Sequence, residues 1–246
     1  MRERNEMKRR NFLTQTAALG IAAAIARPLQ SIAEGKSADK RSETIATGKK
    51  LTPPEKGSIP VAFVISEGVT VIDFAGPWEV FQDVDLKDRE GFQLYTVSED
   101  TSPLQGSAGL KIVPEYTFEN APAPKIVVVP AQSGSDKMHE WLRKVLANAD
   151  VTMSVCTGAF QLAKAGLLSG KSATTHHLFT DKLAKTYPDI DVKRGLRFVE
   201  GDKISTAGGL TSGIDLALRV VERYFGRRVA QKTADYMEYQ SKSWMV

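Results

Sequence analysis

From Ile59 onward, short runs of apolar and β-branched residues alternate with stretches whose apolar positions recur every three to four residues. Strands are expected at 61–66, 92–97, 111–117, 125–129 and 151–155, each too short for a helix and bounded by polar or turn residues. Helices are expected from Pro77, over 136–147, and after Gly158. Such alternation places a parallel sheet at the centre with helices on both faces, because each parallel crossover must carry the chain back over the sheet. Further on, 197–200 and 203–205 read as extended segments joined by Gly201-Asp202 as a hairpin, and helical patterns follow at 213–224 and 228–239. No internal repeat is present. The expected class is α/β, a doubly wound, mostly parallel sheet.

The chain before this domain has a different composition. Residues 34–58 are rich in Lys, Ser, Thr, Glu, Gly and Pro, with Pro53-Pro54 near the end, too polar to offset the entropy of ordering. A flexible linker is expected there. Residues 1–33 contain Lys8-Arg9-Arg10-Asn11-Phe12-Leu13, which resembles the bacterial twin-arginine export motif, followed by the apolar run Ala17 to Ala26. That run is short and built of small side chains, which suits a cleaved signal peptide better than a membrane span. Cleavage is expected at Ser31/Ala33 or, less well because Arg27-Pro28 follows, at Ala24/Ala26; a retained N-terminal anchor is the alternative. The expected location is the periplasm or the cell exterior, with membrane contact only during export.

Charge sharpens this division. The 246 residues carry a net +4, and residues 1–33 hold six Lys/Arg against two Asp/Glu, so the remainder balances to zero. A basic face for nucleic acid is therefore not expected on the domain. With 42% apolar and 25% charged residues the composition is that of an ordinary globular protein. One cysteine excludes an internal disulfide.

That cysteine carries the candidate chemistry. In Val151-Thr-Met-Ser-Val-Cys156-Thr157-Gly158-Ala159-Phe160 it stands where a strand turns into a helix, the arrangement of a nucleophile elbow. The helix N-terminus is expected to lower the thiol pKa, and Gly158 to leave room for the turn. The alternative is a small buried hydrophobe, the commonest fate of a free cysteine. In an open α/β sheet the site lies beyond the carboxyl ends of the strands, so the loops after Ser66, Val129, Val155 and Ser205 should converge. The first of them brings Asp73, with Glu67 second, either as a proton donor desolvated beside the thiol or as a cap of the following helix. Of the three histidines, His176 and His177 fall where a loop can return over the elbow, His176 either pairing with the thiol or standing as a polar cap at the pocket edge, and His139 is expected on a surface. No spacing of Cys, His or acids fits a metal site, and no cofactor is expected.

Four segments carry a family resemblance: Asp73-Phe-Ala-Gly-Pro-Trp-Glu-Val-Phe81, Val155-Cys-Thr-Gly-Ala-Phe160, Ala173-Thr-Thr-His176 and Gly208-Gly-Leu-Thr-Ser-Gly-Ile-Asp-Leu-Ala217. Together they resemble the ThiJ/PfpI superfamily, with its flavodoxin-like, class I glutamine amidotransferase-like fold, over residues 59–239. The branch they look most like comprises the isonitrile hydratases and the amidase-like domains of AraC-type regulators. Such regulators add a helix-turn-helix module, which is not expected in a chain reading to Val246. The resemblance implies Cys156 as nucleophile, Asp73 as the acid facing it and Thr157 as the adjacent hydroxyl. It further implies that Gly76, Ala131, Gln132, Gly158 and His176 line the substrate site. Thr157 stands where the peptidase-like members have a histidine, which argues against proteolysis. Ala131-Gln132 replaces a Gly-Gly pair whose N–H groups serve as oxyanion donors, and a left-handed backbone there would be strained by the new Cβ atoms. The expected function is a small-molecule hydratase or hydrolase, with hydration of an isonitrile to an N-substituted formamide foremost. The alternative is a non-catalytic or cysteine-redox-sensing member. A homodimer is expected from the superfamily.

Overall fold

The structure is a computed structural model that describes residues 45–246; the twin-arginine-like segment and residues 34–44 of the expected linker lie outside the described residues. In chain order the principal elements are β1 (Ile45–Ala46), β2 (Ile59–Val64), α1 (Val71–Gln82), β3 (Phe92–Ser98), β4 (Tyr116–Thr117) and β5 (Ile126–Val129). There follow α2 (Asp136–Leu146), β6 (Val151–Ser154), α3 (Gly158–Lys164), α4 (Thr180–Thr186), β7 (Phe198–Glu200), β8 (Ile204–Ala207), α5 (Ser212–Phe225) and α6 (Arg227–Tyr236). The strands form one 8-stranded sheet in the order β1-β7-β8-β6-β5-β2-β3-β4. Every neighbouring pair is parallel except the β7–β8 hairpin.

Alternation along the strands divides the core into two layers. Ile59, Val61 and Phe63 of β2, Ile126 and Val128 of β5, and Val151 and Met153 of β6 point to one face, where residues of α1, α5 and α6 cover them. Ala62 and Val64, with Val127 and Val129, point to the other, beneath α2, α3 and α4. A two-residue side-chain period buried on both sides gives the nearly continuous apolar strands of a doubly wound sheet. The expected architecture is the one observed.

Three local expectations are corrected. Helix α1 starts at Val71 rather than at Pro77, which lies inside it. The expected strand over 111–117 is two pieces: Lys111–Ile112 pairs antiparallel with Leu104–Gln105, and only Tyr116–Thr117 joins the main sheet. The last part of the expected linker is packed. Ile45–Ala46 adds a parallel edge strand to β7, Thr47 Oγ1 donates to Glu200 O at 2.8 Å, and Arg223 Nε donates to Lys49 O at 2.8 Å. A sheet edge offers unpaired N–H and C=O groups, so even a polar segment can dock there by backbone hydrogen bonds. Glu200, 1% exposed, anchors this edge through Arg219 at 3.2 Å and the Gly48 N–H at 3.2 Å.

Candidate active site

The turn after β6 builds the site. Val155 N–H still donates to Val129 O at 3.0 Å, and the chain then reverses at Cys156, whose φ of 57° is in the left-handed region. For a residue with a Cβ this conformation costs about 1–3 kcal/mol, and three hydrogen bonds over-determine it. Cys156 N–H donates to Gly208 O at 2.7 Å, Thr175 Oγ1 donates to Cys156 O at 2.8 Å, and Gly158 N–H closes the turn on Val155 O at 2.9 Å. A Cβ on Gly158 would stand 2.0 Å from Val129 O, so only glycine permits this approach of helix to sheet. The strand, the strained turn and the small residue are the elbow expected from the sequence.

Asp73 reaches the thiol because α1 begins early. Thr70 N–H donates to Ala131 O at 2.9 Å, which places Asp73 in the first helical turn, facing inward and fully buried. Four residues on, Pro77 has no N–H to offer the Asp73 carbonyl. Asp73 Oδ2 accepts the Ala131 N–H at 3.2 Å. The Cys156 thiol interacts with the carboxyl, whose Oδ1 makes no regular hydrogen bond. The second candidate acid, Glu67, turns away, its Oε2 accepting the Gln105 N–H at 2.9 Å.

Burial dominates the electrostatics of the pair. It pushes the Asp73 carboxyl up to about 6, against the Ala131 N–H and the thiol, which both pull it down. Burial, and after it the Asp73 charge, push the Cys156 thiol up to about 11, against the N–H groups of Thr157 and Leu210. The expected thiolate is therefore corrected to a protonated thiol. Helix α3 is only seven residues long, and the N–H groups of Gly158 and Phe160 are occupied within the turn, so its end supplies little field.

The remaining expected residues fall in distinct places. Thr157 contributes its backbone N–H at the thiol. Neither Ala131 nor Gln132 has a positive φ, so the anticipated strain is absent; the Ala131 N–H serves Asp73 rather than an oxyanion. Gln132 Nε2 donates to Val64 O at 2.9 Å and braces its own loop. Gly76 sits at the α1–α5 contact, where a Cβ would meet Ile214 Cγ1 at 2.9 Å. His176 packs on the backbone of Gly209, stacks on His177 with centroids 4.4 Å apart, and accepts the Leu178 N–H at Nδ1. Burial and His177 lower its pKa. It is not among the groups that act on the Cys156 thiol, so no Cys–His pair forms. With Arg197 and the segment from Gly208 to Ser212 it lines a cleft of about 340 Å3 bordering the elbow. His139, expected on a surface, is buried, its Nε2 2.9 Å from Gln161 Oε1.

Two contributors were not legible beforehand. Leu210, with φ of 52°, aims its N–H at the thiol from the Gly208-Gly209 segment, and Thr175 locks the elbow carbonyl. Both lie inside motifs visible in the sequence, but their working atoms are backbone or are aimed by long-range packing. Among the described residues no three His, Cys, Asp or Glu side chains group as a metal site would require, and no helix is long and apolar enough to cross a membrane.

This geometry has counterparts. The model of the DJ-1/PfpI family matches residues 60–223. An isonitrile hydratase of Pseudomonas putida is 34% identical over 188 residues, covering 74% of this chain and 79% of that protein. The HTH-type transcriptional regulator CdhR of Pseudomonas aeruginosa is 26% identical over 178 residues, covering 70% of this chain and 53% of its own length. Among solved structures, a ThiJ/PfpI family protein from Pseudomonas syringae superposes with a TM-score of 0.67 at 28% identity, covering 77% of this chain and 78% of that one. The match spans both the Asp73 helix and the Cys156 elbow, and the chain belongs to the DJ-1/PfpI family.

Proposed function

We propose that the protein hydrates small isonitriles to N-substituted formamides, with Cys156 as nucleophile and Asp73 as proton carrier. The observation that carries this reading is the fully buried Asp73 carboxyl held beside the protonated Cys156 thiol. The likeness to a relative named isonitrile hydratase supports it.

An isonitrile needs a nucleophile and a proton at the same terminal carbon. The Cys156 S–H bond breaks, the sulfur bonds to that carbon, and the proton passes through Asp73 Oδ1 to the carbon, giving the thioimidate R–N=CH–S–Cys156. Asp73, with a pKa of about 6, is suited to carry a proton in either direction near neutral pH. The N–H groups of Thr157 and Leu210 stabilise the negative charge that develops on sulfur as the proton leaves. Water then adds to the imidate carbon while Asp73 takes one of its protons and delivers it to nitrogen. Collapse of R–NH–CH(OH)–S–Cys156 expels the thiol and releases R–NH–CHO, so the net change is addition of one water. Ile72, adjacent to Asp73 in sequence, and Leu210, whose N–H reaches the thiol, are 38% and 42% exposed and offer an apolar approach to a small organic substituent.

The test is conversion of cyclohexyl isonitrile to N-cyclohexylformamide, followed by proton NMR. A rate equal to that of Cys156→Ala contradicts the reading. Redox sensing is the weaker alternative, because at a thiol pKa of about 11 only about one thiol in ten thousand is ionised at neutral pH, and oxidation follows the thiolate. The reading extends to location and assembly: export through the twin-arginine-like segment, and action as a homodimer.

A further inference from the structure

Beyond the reacting pair, an unusual polar chain runs through the buried layer between α2, α3 and the loop after β5. Gln161 lies on α3, five residues past the nucleophile, and is 4% exposed. Its Nε2 donates to Gln132 O at 2.8 Å and to Ser133 O at 3.3 Å. Its Oε1 is 2.9 Å from His139 Nε2 on α2. Because both amide hydrogens are directed at carbonyls, Oε1 must accept, so His139 Nε2 carries the donated proton, as it does in the neutral and the charged ring alike. His139 Nδ1 faces Asp136 at 3.8 Å. The two carbonyls that Gln161 holds belong to the residues following Ala131, whose N–H is on Asp73 Oδ2. Gly134 completes the fit: its φ is 73°, and a Cβ there would meet Gln161 Oε1 at 2.4 Å.

Packing alone does not require this arrangement. An apolar side chain would fill the space between α2 and α3 more cheaply than a buried amide and a buried imidazole, which are tolerated only when their hydrogen bonds are made. The cluster spends its donors on one loop, and that loop is the one that touches the acid. We infer that Gln161 is a positioning residue: oriented by His139, it clamps the Gln132 and Ser133 carbonyls and thereby holds the Ala131 N–H on the Asp73 carboxylate. The inference rests on Asp73 as the proton carrier proposed above, and its physical content can be tested without any substrate.

The experiment follows the titration of Asp73 by the 13C shift of its carboxyl carbon in the full chain, in wild type, Gln161→Met, His139→Met and His139→Gln. Loss of a backbone N–H from a carboxylate removes a stabiliser of the charged form. The Asp73 midpoint should therefore rise by about one pH unit in Gln161→Met and move in the same direction, by less, in His139→Met. His139→Gln, which keeps a donor for Gln161 Oε1, should restore the wild-type midpoint. A merely structural role would lower melting temperature and leave the midpoint in place, and that result overturns the inference. Should Gln161→Met not fold, an unmoved midpoint in His139→Met overturns it equally. Absence of isonitrile turnover in wild type alongside a shifted midpoint would remove the proposed activity and leave the clamp standing.

Discussion

Asp73 and Cys156 come from helix and elbow positions 83 residues apart in sequence, and the structure sets the carboxyl of the one, fully buried, beside the nearly buried thiol of the other. Burial holds a proton on each group more tightly than water would, and the Asp73 charge adds to this at the thiol. Burial disfavours both anions, and whichever group ionises first makes the second ionisation harder. In the proposed reaction this pair supplies the proton that passes to the isonitrile carbon.

The first prediction separates the two roles of Asp73. In Asp73→Asn the negative charge that raises the thiol pKa is gone, so thiolate becomes more abundant and iodoacetamide alkylation of Cys156 at about pH 8 should accelerate by roughly tenfold. Isonitrile turnover should fall by about a hundredfold or more, because the proton carrier is gone. Alkylation rates and NMR turnover measured on the same sample check this. A parallel fall in both would mean that the carboxylate only positions the thiol.

The second prediction concerns stability and pH. The Asp73 carboxyl moves from 3.8 to about 6 on folding, so the folded chain binds this proton more tightly than the unfolded one. Its contribution is fully present below the unfolded value and is lost as pH rises through about 6, amounting to roughly 3 kcal/mol at most. Asp73→Asn should therefore be more stable than wild type by roughly 1–3 kcal/mol at about pH 8, with the gain shrinking toward zero at about pH 4. Urea denaturation at the two pH values checks it; an equal difference at both would show that the buried charge is not the cause.

The third prediction is steric. Gly158→Ala places a Cβ 2.0 Å from Val129 O, a contact that only movement of α3 or β5 can relieve. The variant should lose more than about 3 kcal/mol of stability and, where it folds, its displaced elbow should lose turnover. Thermal denaturation beside the activity assay reads both effects.

Parts of this account were legible in the sequence because they depend on local pattern. The apolar run through Val151 to Val155 followed by Cys156-Thr157-Gly158 identifies the elbow, and the strand–helix alternation identifies the sheet. What was missed depends on partners distant in sequence. Asp73 read as a residue ahead of a proline-started helix, since Pro77 conceals the earlier start that the Ala131 carbonyl secures through Thr70. The thiol read as acidic because the helix terminus is adjacent in sequence, whereas the burial and the carboxylate that outweigh it come from elsewhere. His139 read as solvent-facing because it flanks the apolar stripe of α2 formed by Met138, Trp141 and Leu142, and only Gln161 explains its burial. Ile45–Ala46 read as linker because its partner, β7, lies at the far end of the chain.

A fourth prediction addresses location. Native protein should begin near Glu34 or Arg27 and occur outside the cytoplasm, and Lys-Lys in place of Arg9-Arg10 should abolish that transfer. N-terminal sequencing of the native material reads the result; an intact Met1 in a cytoplasmic fraction would mean that the segment is not a signal.

The central claim, that a protonated thiol and a buried acid together add a proton and sulfur to one carbon, is tested most directly by intact-mass spectrometry of protein mixed with cyclohexyl isonitrile and quenched in acid at short times. The account predicts a transient adduct on Cys156 whose added mass equals that of one isonitrile. It should form before N-cyclohexylformamide accumulates and be absent in Cys156→Ala. Formamide appearing at the same rate in Cys156→Ala, or steady turnover with no adduct at any time, would contradict it.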